Sequence, residues 1–179
     1  PPDSTRVRVL NLVDGSDVTA SLGSIRVATD LAPMSSSDVL PIFSAEQVVY
    51  SARRNSSGRT DSLPGQILAR GARMTYVTMR RGDTGTTTLS LPLGRQDLTD
   101  LLARGASMVT FVNAVDDTTF LGLRLGCQSG DTLADGIAFS RATSLESTAG
   151  ERSLFVMRTG DSIPLASTRL STPPGTVTY

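Results

Sequence analysis

The side chains in this sequence that could do chemistry are carboxylates, guanidiniums and a single thiol. The chain has 17 basic residues, 17 acidic residues and no His, and every basic residue is an arginine. Without imidazole there is no Ser-His or Cys-His pair, no imidazole general base and no histidine metal ligand. Without lysine there is no Schiff base, no phosphate-loop amine and no Ser-Lys dyad. One cysteine, Cys127, can form neither a disulfide within the chain nor a thiolate zinc cluster. The three glutamates (Glu46, Glu146 and Glu151) lie in no recognisable acid–base motif. No enzyme, catalytic residue, cofactor or resident metal is therefore expected, and a hydrolase built from carboxylates on distant loops ranks well behind.

The remaining reactive groups have ordinary explanations. Asp14 with Asp17, Asp116 with Asp117, and Asp131 with Asp135 could offer oxygens to calcium. None of these pairs continues into an alternating loop closed by a bidentate Glu, and Asp beside Gly is also plain turn composition, so calcium is not preferred. Residues 53–81 carry Arg53, Arg54, Arg59, Arg70, Arg73, Arg80 and Arg81 against Asp61 alone, whereas residues 1–50 are net acidic. A nucleic-acid reader would interleave aromatics among those arginines, and only Tyr76 is there. A solvated strand face is the first reading, and a basic patch meeting an acidic patch of a second copy is the next. Cys127 is expected to be a small buried apolar residue. Tyr76 and Tyr179, at strand ends, are expected to pack their rings and expose their hydroxyls.

The elements that must carry these residues are mostly strands. Hydrophobic residues make up 39% of the chain, enough for a core. Ser and Thr supply about a quarter of the chain, which suits exposed β surfaces. Val7, Val9, Asn11 and Val13 share one face at period two, and the run stops at Asp14-Gly15-Ser16-Asp17. Further β-like runs are 25–28, 39–43, 47–52, 74–79 and 86–93, with turns at Ser35-Ser36-Ser37, Asn55-Ser56-Ser57-Gly58 and Pro64-Gly65. Leu98, Leu101 and Leu102 recur at helical spacing in 96–104.

The second half repeats the first. Val7-Arg8-Val9-Leu10-Asn11-Leu12-Val13-Asp14 aligns with Val109-Thr110-Phe111-Val112-Asn113-Ala114-Val115-Asp116, at an offset of 102 residues. Thr75-Tyr76 aligns with Thr178-Tyr179 at 103, and Val48–Arg53 with Ser153–Arg158 at 105. Asn11 and Asn113, on faces otherwise Val or Phe, are expected to be buried amides that satisfy backbone groups. The fold class expected is all-β, with two tandem Ig-like antiparallel β-sandwich domains over residues 1–83 and 106–179, joined by 84–105. The second copy reaches Tyr179 in mid-strand, so either the natural chain continues or another molecule completes that sheet edge.

These strand motifs resemble a bacterial cell-envelope family, the domain of unknown function 4397. Its repeats open on a Val-Arg-Val-Val-His-Ala-Ser-Pro-Asp-Ala-Pro pattern and close on Tyr-Thr-Val-Val. The matching stretches are Val7-Arg8-Val9-Leu10-Asn11 with Thr75-Tyr76-Val77, then Val109-Thr110-Phe111-Val112-Asn113 with Val177-Thr178-Tyr179. Asn11 and Asn113 stand where the family often has His, and its Ser-Pro-Asp-Ala-Pro turn is absent. The resemblance implies a secreted, tandem, Ig-like β-sandwich protein and supplies no catalytic residue.

The expected function is structural: a secreted, non-catalytic subunit of an extracellular filament or surface assembly. The sequence opens on Pro1 rather than Met, as removal of a secretory signal would leave it. Copies of the chain would join by strand addition, through Pro1, Pro2, Asp3, Ser4 and Thr5 or through Thr176, Val177, Thr178 and Tyr179. A head-to-tail contact of that kind gives a filament. No nucleic acid or membrane insertion is expected: net charge is zero, and no apolar run is long enough to cross. The alternative is a cell-envelope binding or adhesion module that recognises protein or polysaccharide through its loops.

Overall fold

The computed structural model describes residues 4–43, 47–117, 119–127, 129–148 and 150–178. The described residues are all-β apart from one short helix, and the chain divides into two compact units, Pro1–Arg95 and Gln96–Tyr179.

The first unit is a sandwich of two sheets. In one, β1 (Thr5–Leu12) pairs with β4 (Ser35–Ser36) and β5 (Leu40–Ile42) on one side and β8 (Arg73–Arg81) on the other, with β9 (Gly85–Leu93) beyond β8. In the other, β3 (Ile25–Leu31), β2 (Val18–Leu22), β6 (Gln47–Arg54) and β7 (Thr60–Ile67) follow in that order. The alternation in β1 turns Val7, Val9 and Asn11 inward, all essentially buried. Slipping that strand by one residue would expose the valines, at about 1.5–3 kcal/mol each. Between the sheets, Tyr50 of β6 stacks on Tyr76 of β8 with ring centroids 4.0 Å apart and planes 8° from parallel. Val7, Val9, Val13, Leu22, Ile42 and Leu68 pack in the same buried cluster.

The second unit has the same plan. Its sheets run β13 (Arg141–Thr148), β10 (Ala106–Asn113), β16 (Val177–Thr178), and β12 (Thr132–Ile137), β11 (Leu121–Leu125), β14 (Gly150–Arg158), β15 (Pro164–Thr172). Thus β10 stands for β1, β11 for β2, β12 for β3, β13 for β4 with β5, β14 for β6, β15 for β7 and β16 for β8. Pairing is antiparallel except for β1 with β8 and β10 with β16, which are parallel. The internal repeat is therefore visible as repeated topology.

Backbone hydrogen bonds fix the correspondence and correct two sequence alignments. Gly71 N donates to Ser4 O and Gly175 N to Ala106 O; Arg6 N donates to Ala72 O and Met108 N to Thr176 O. These pairs place Thr178 where Met74 stands, not where Thr75 stands. Likewise Gly23 N donates to Val49 O and Gly126 N to Ser153 O, so Arg158 matches Arg54 rather than Arg53. In both cases sequence similarity was one residue out of register, which on a strand is the opposite face.

Other expectations shift in detail. Of the expected connector 84–105, residues Gly85–Leu93 are β9, paired along its length with β8, and Arg95–Ala103 form the helix α1. Leu101 is the buried leucine of α1 while Leu102 is exposed, and Gly105, at φ +62°, follows its end. Pro64-Gly65 is not a turn between strands: it lies inside β7, where the register against β6 shifts between Val48 and Tyr50. Gly65 has φ +64°, so the pair makes a bulge on an edge strand, a place where a missing N–H is tolerated.

Candidate functional site

Asn11 and Asn113 are fully buried near the ends of β1 and β10. Asn11 Nδ2 donates to Ser16 O at 3.0 Å and Leu31 O at 2.7 Å, and its Oδ1 accepts from Val13 N at 2.8 Å. Asn113 does the same with Thr119 O at 3.1 Å, Ile137 O at 2.8 Å and Val115 N at 2.9 Å. Each amide ties the end of its strand to the following turn and to the opposite sheet. This is the satisfied buried amide expected from the sequence.

Two of the acidic residues, Asp117 and Asp135, accept hydrogen bonds. Asp117 Oδ1 accepts from Thr119 N at 2.5 Å, and this hydrogen bonding holds its carboxyl below the usual range. Asp135 Oδ1 accepts from Thr159 Oγ1 at 2.7 Å and from Gly136 N at 2.9 Å. Among the described residues, no group of three or more His, Cys, Asp or Glu could hold a metal.

The arginine-rich stretch does not form one surface, because Arg53 and Arg54 are on β6 while Arg73, Arg80 and Arg81 are on β8, in the other sheet. Arg54 is turned inward, donating to Asp83 O at 2.7 Å and Ser56 Oγ at 3.2 Å.

Two side-chain expectations are corrected. Cys127 is exposed rather than buried, since it follows β11 in the turn after Gly126 and misses the strand's inward face. The Tyr76 hydroxyl is buried without a hydrogen-bond partner rather than exposed, because the ring is drawn over Tyr50. Burial pushes the Tyr76 phenol up to about 12 and raises that of Tyr50 further, although Tyr50 Oη shares a hydrogen bond with Thr78 Oγ1 at 3.2 Å.

Of the residues expected at a subunit interface, Pro1, Pro2, Asp3 and Tyr179 lie outside the described residues. Ser4 and Thr5 are buried within the first unit, where Thr5 pairs with Ile42 and its Oγ1 donates to Ala69 O at 2.8 Å. Both are part of their own sandwich. Thr176, Val177 and Thr178 lead into or form β16 beside β10.

The feature that stands out is the edge of β10. In the first unit, β1 is paired with β8 along seven residues, from Arg6 to Leu12. In the second, β16 reaches Met108 and Val109 alone. Beyond them, from Thr110 to Asn113, β10 is paired with β13 on one side and with no strand of the described residues on the other. Ala106 and Met108 direct their backbone groups to the β16 side, so by strand alternation the N–H and C=O of Thr110 and Val112 face the open side. The core behind this edge is also incompletely covered: Val9 is 0% exposed, whereas its counterpart Phe111 is only partly buried.

Neither a protein-family model nor a curated protein sequence matches the chain.

Proposed function

We propose that the chain is a non-catalytic structural subunit of an extracellular filament or surface assembly, joined by strand addition onto β10. The observation that supports this reading is the edge of β10 from Thr110 to Asn113, which no strand of the described residues pairs on its β16 side, beside a partly covered Phe111. An incoming strand there would run parallel to β10, continue the line of β16, and do for the second unit what β8 does for the first. Main-chain bonds to Thr110 and Val112 supply affinity, and alternate side chains over Phe111 set register. A donor from a second copy makes the contact heterologous, and repetition yields a filament. The resemblance to the domain of unknown function 4397 family fits a secreted setting for such a subunit.

The test is electron microscopy of native material beside light scattering of the 18.8 kDa chain. Regular polymers that disappear in Val112→Pro are the expected result. Proline there removes the N–H on the open side and spares the ladder to β13. A monomer at high concentration sinks the assembly reading and turns attention to a loop-borne binding module. Polymers unchanged in a folded Val112→Pro protein would move the joint away from β10.

A further inference from the structure

One end of the second unit carries smaller side chains than the matching end of the first, as the repeat shows. The pairings of Leu22 with Tyr50 and Leu125 with Leu154 put Leu154 where Tyr50 stands. Thr5 with Ile42 and Ser107 with Ser147 put Ser147 where Ile42 stands. Gln47 with Ile67 and Glu151 with Ser171 put Thr172 where Leu68 stands. Three large apolar side chains are thus replaced by smaller ones at one end of the sandwich.

At that end lies a half-open cleft of about 230 Å³ lined by Val109, Leu125, Leu133, Leu145, Leu154 and Leu170, with Ser147, Thr148 and Thr172 among its polar walls. A leucine-lined cavity of about 150 Å³ stays dry and admits benzene, so this cleft has room for a longer apolar group.

Its rim is charged. Glu146 and Arg152 both border the cleft. Glu146 is already neutralised, because Arg104 grips it with Nε to Oε1 at 3.1 Å and Nη2 to Oε2 at 2.9 Å. The Arg152 guanidinium bonds to the carbonyl and hydroxyl of Thr148 and forms no ion pair among the described residues. The rim therefore offers one uncompensated positive charge beside an apolar cleft.

We propose that this cleft binds a medium-chain aliphatic carboxylate, with the alkyl chain among the leucines and the carboxylate on Arg152. The guanidinium fork matches a carboxylate in two parallel hydrogen bonds. This site does not depend on the strand-addition reading.

The experiment is calorimetric titration of the full chain with sodium octanoate and, separately, with 1-octanol. Both are expected to bind with one molecule per chain. Arg152→Gln should weaken octanoate about tenfold, as loss of a charge-assisted contact does, and leave octanol unchanged. The double variant Ser147→Ile with Thr172→Leu restores the first unit's side chains at two of the three positions and should abolish both, with circular dichroism confirming the fold. Leu154→Phe fills the cleft from another wall and serves if the double variant does not fold. No octanoate binding, or binding that survives filling, overturns the proposal. Equal effects of Arg152→Gln on the two ligands overturn the carboxylate assignment.

Discussion

Asn11 and Asn113 occupy equivalent positions in the two units, and each makes the same three backbone hydrogen bonds. Each accepts from the residue two places on and donates to the turn and to the neighbouring sheet. Asn suits this site because its amide is donor and acceptor at once, and Asp would lose both donations. Replacing Asn11 by Ala removes all three of these hydrogen bonds from a fully buried side chain. A loss of about 3 kcal/mol is expected, at the upper end of the range for such a group, with a similar response at Asn113. Urea denaturation of the single variants measures it, and a loss below about 1 kcal/mol would contradict the role assigned to the amides.

The stacked tyrosines should respond differently to the same substitution. The Tyr76 hydroxyl is buried without a partner, so Tyr76→Phe removes an unmet polar group and should leave stability unchanged or slightly higher. Tyr50→Phe loses the hydrogen bond to Thr78 and should cost about 1 kcal/mol. Thermal melts of the two variants decide the order.

The same pair sets an alkaline limit. Both phenols titrate above the ordinary value of 10.0, Tyr76 at about 12 and Tyr50 higher still. Above pH 10 the unfolded chain releases protons that the folded chain keeps, so unfolding is favoured as pH rises. The contribution is intact below pH 10 and is lost through pH 12 and beyond. Denaturation midpoints measured across that window should fall, and less so in Tyr76→Phe.

Cys127 is exposed and has Ser129 Oγ 3.5 Å from its sulfur. An aromatic disulfide reagent should titrate one thiol per native chain without denaturant. A thiol that reacts only after unfolding would contradict this placement.

Gly175 sits at φ +68° in the turn before β16, and a Cβ there would come 3.0 Å from Leu102 Cδ1. Gly175→Ala should cost about 1–2 kcal/mol for the left-handed backbone alone. It should also disturb the packing of that turn against Leu102. Chemical denaturation measures the loss, and amide exchange at Met108 and Thr178 would show it locally.

The strands were legible wherever a period-two pattern ended in turn residues. Thr5–Leu12 and the Val109–Asn113 part of β10 were readable in that way, and so was the placement of Asn11 and Asn113 as buried amides. The repeat itself was legible because β1 and β10 must both bury alternate residues around that Asn. β2 was missed, because Val18-Thr19-Ala20-Ser21-Leu22 is short and mild in hydrophobicity, and its burial comes from its neighbours β3 and β6.

What the sequence by itself determined is the all-β class, the two-fold repetition and the poverty of catalytic groups, since each follows from residue type and local period. Tertiary structure decided what depends on a partner across space. Pro64-Gly65 became a bulge because β6 holds the chain on either side of it. The Tyr76 hydroxyl was buried because Tyr50 lies beneath its ring, and Cys127 was left outside because β11 ends before it. The alignment of Thr178 moved by one residue because backbone bonds from Gly175 and Met108, not side-chain similarity, set the register. The cleft over Leu154 belongs to the same class. It is a difference between two copies of one plan, and it is not visible until the strands are paired.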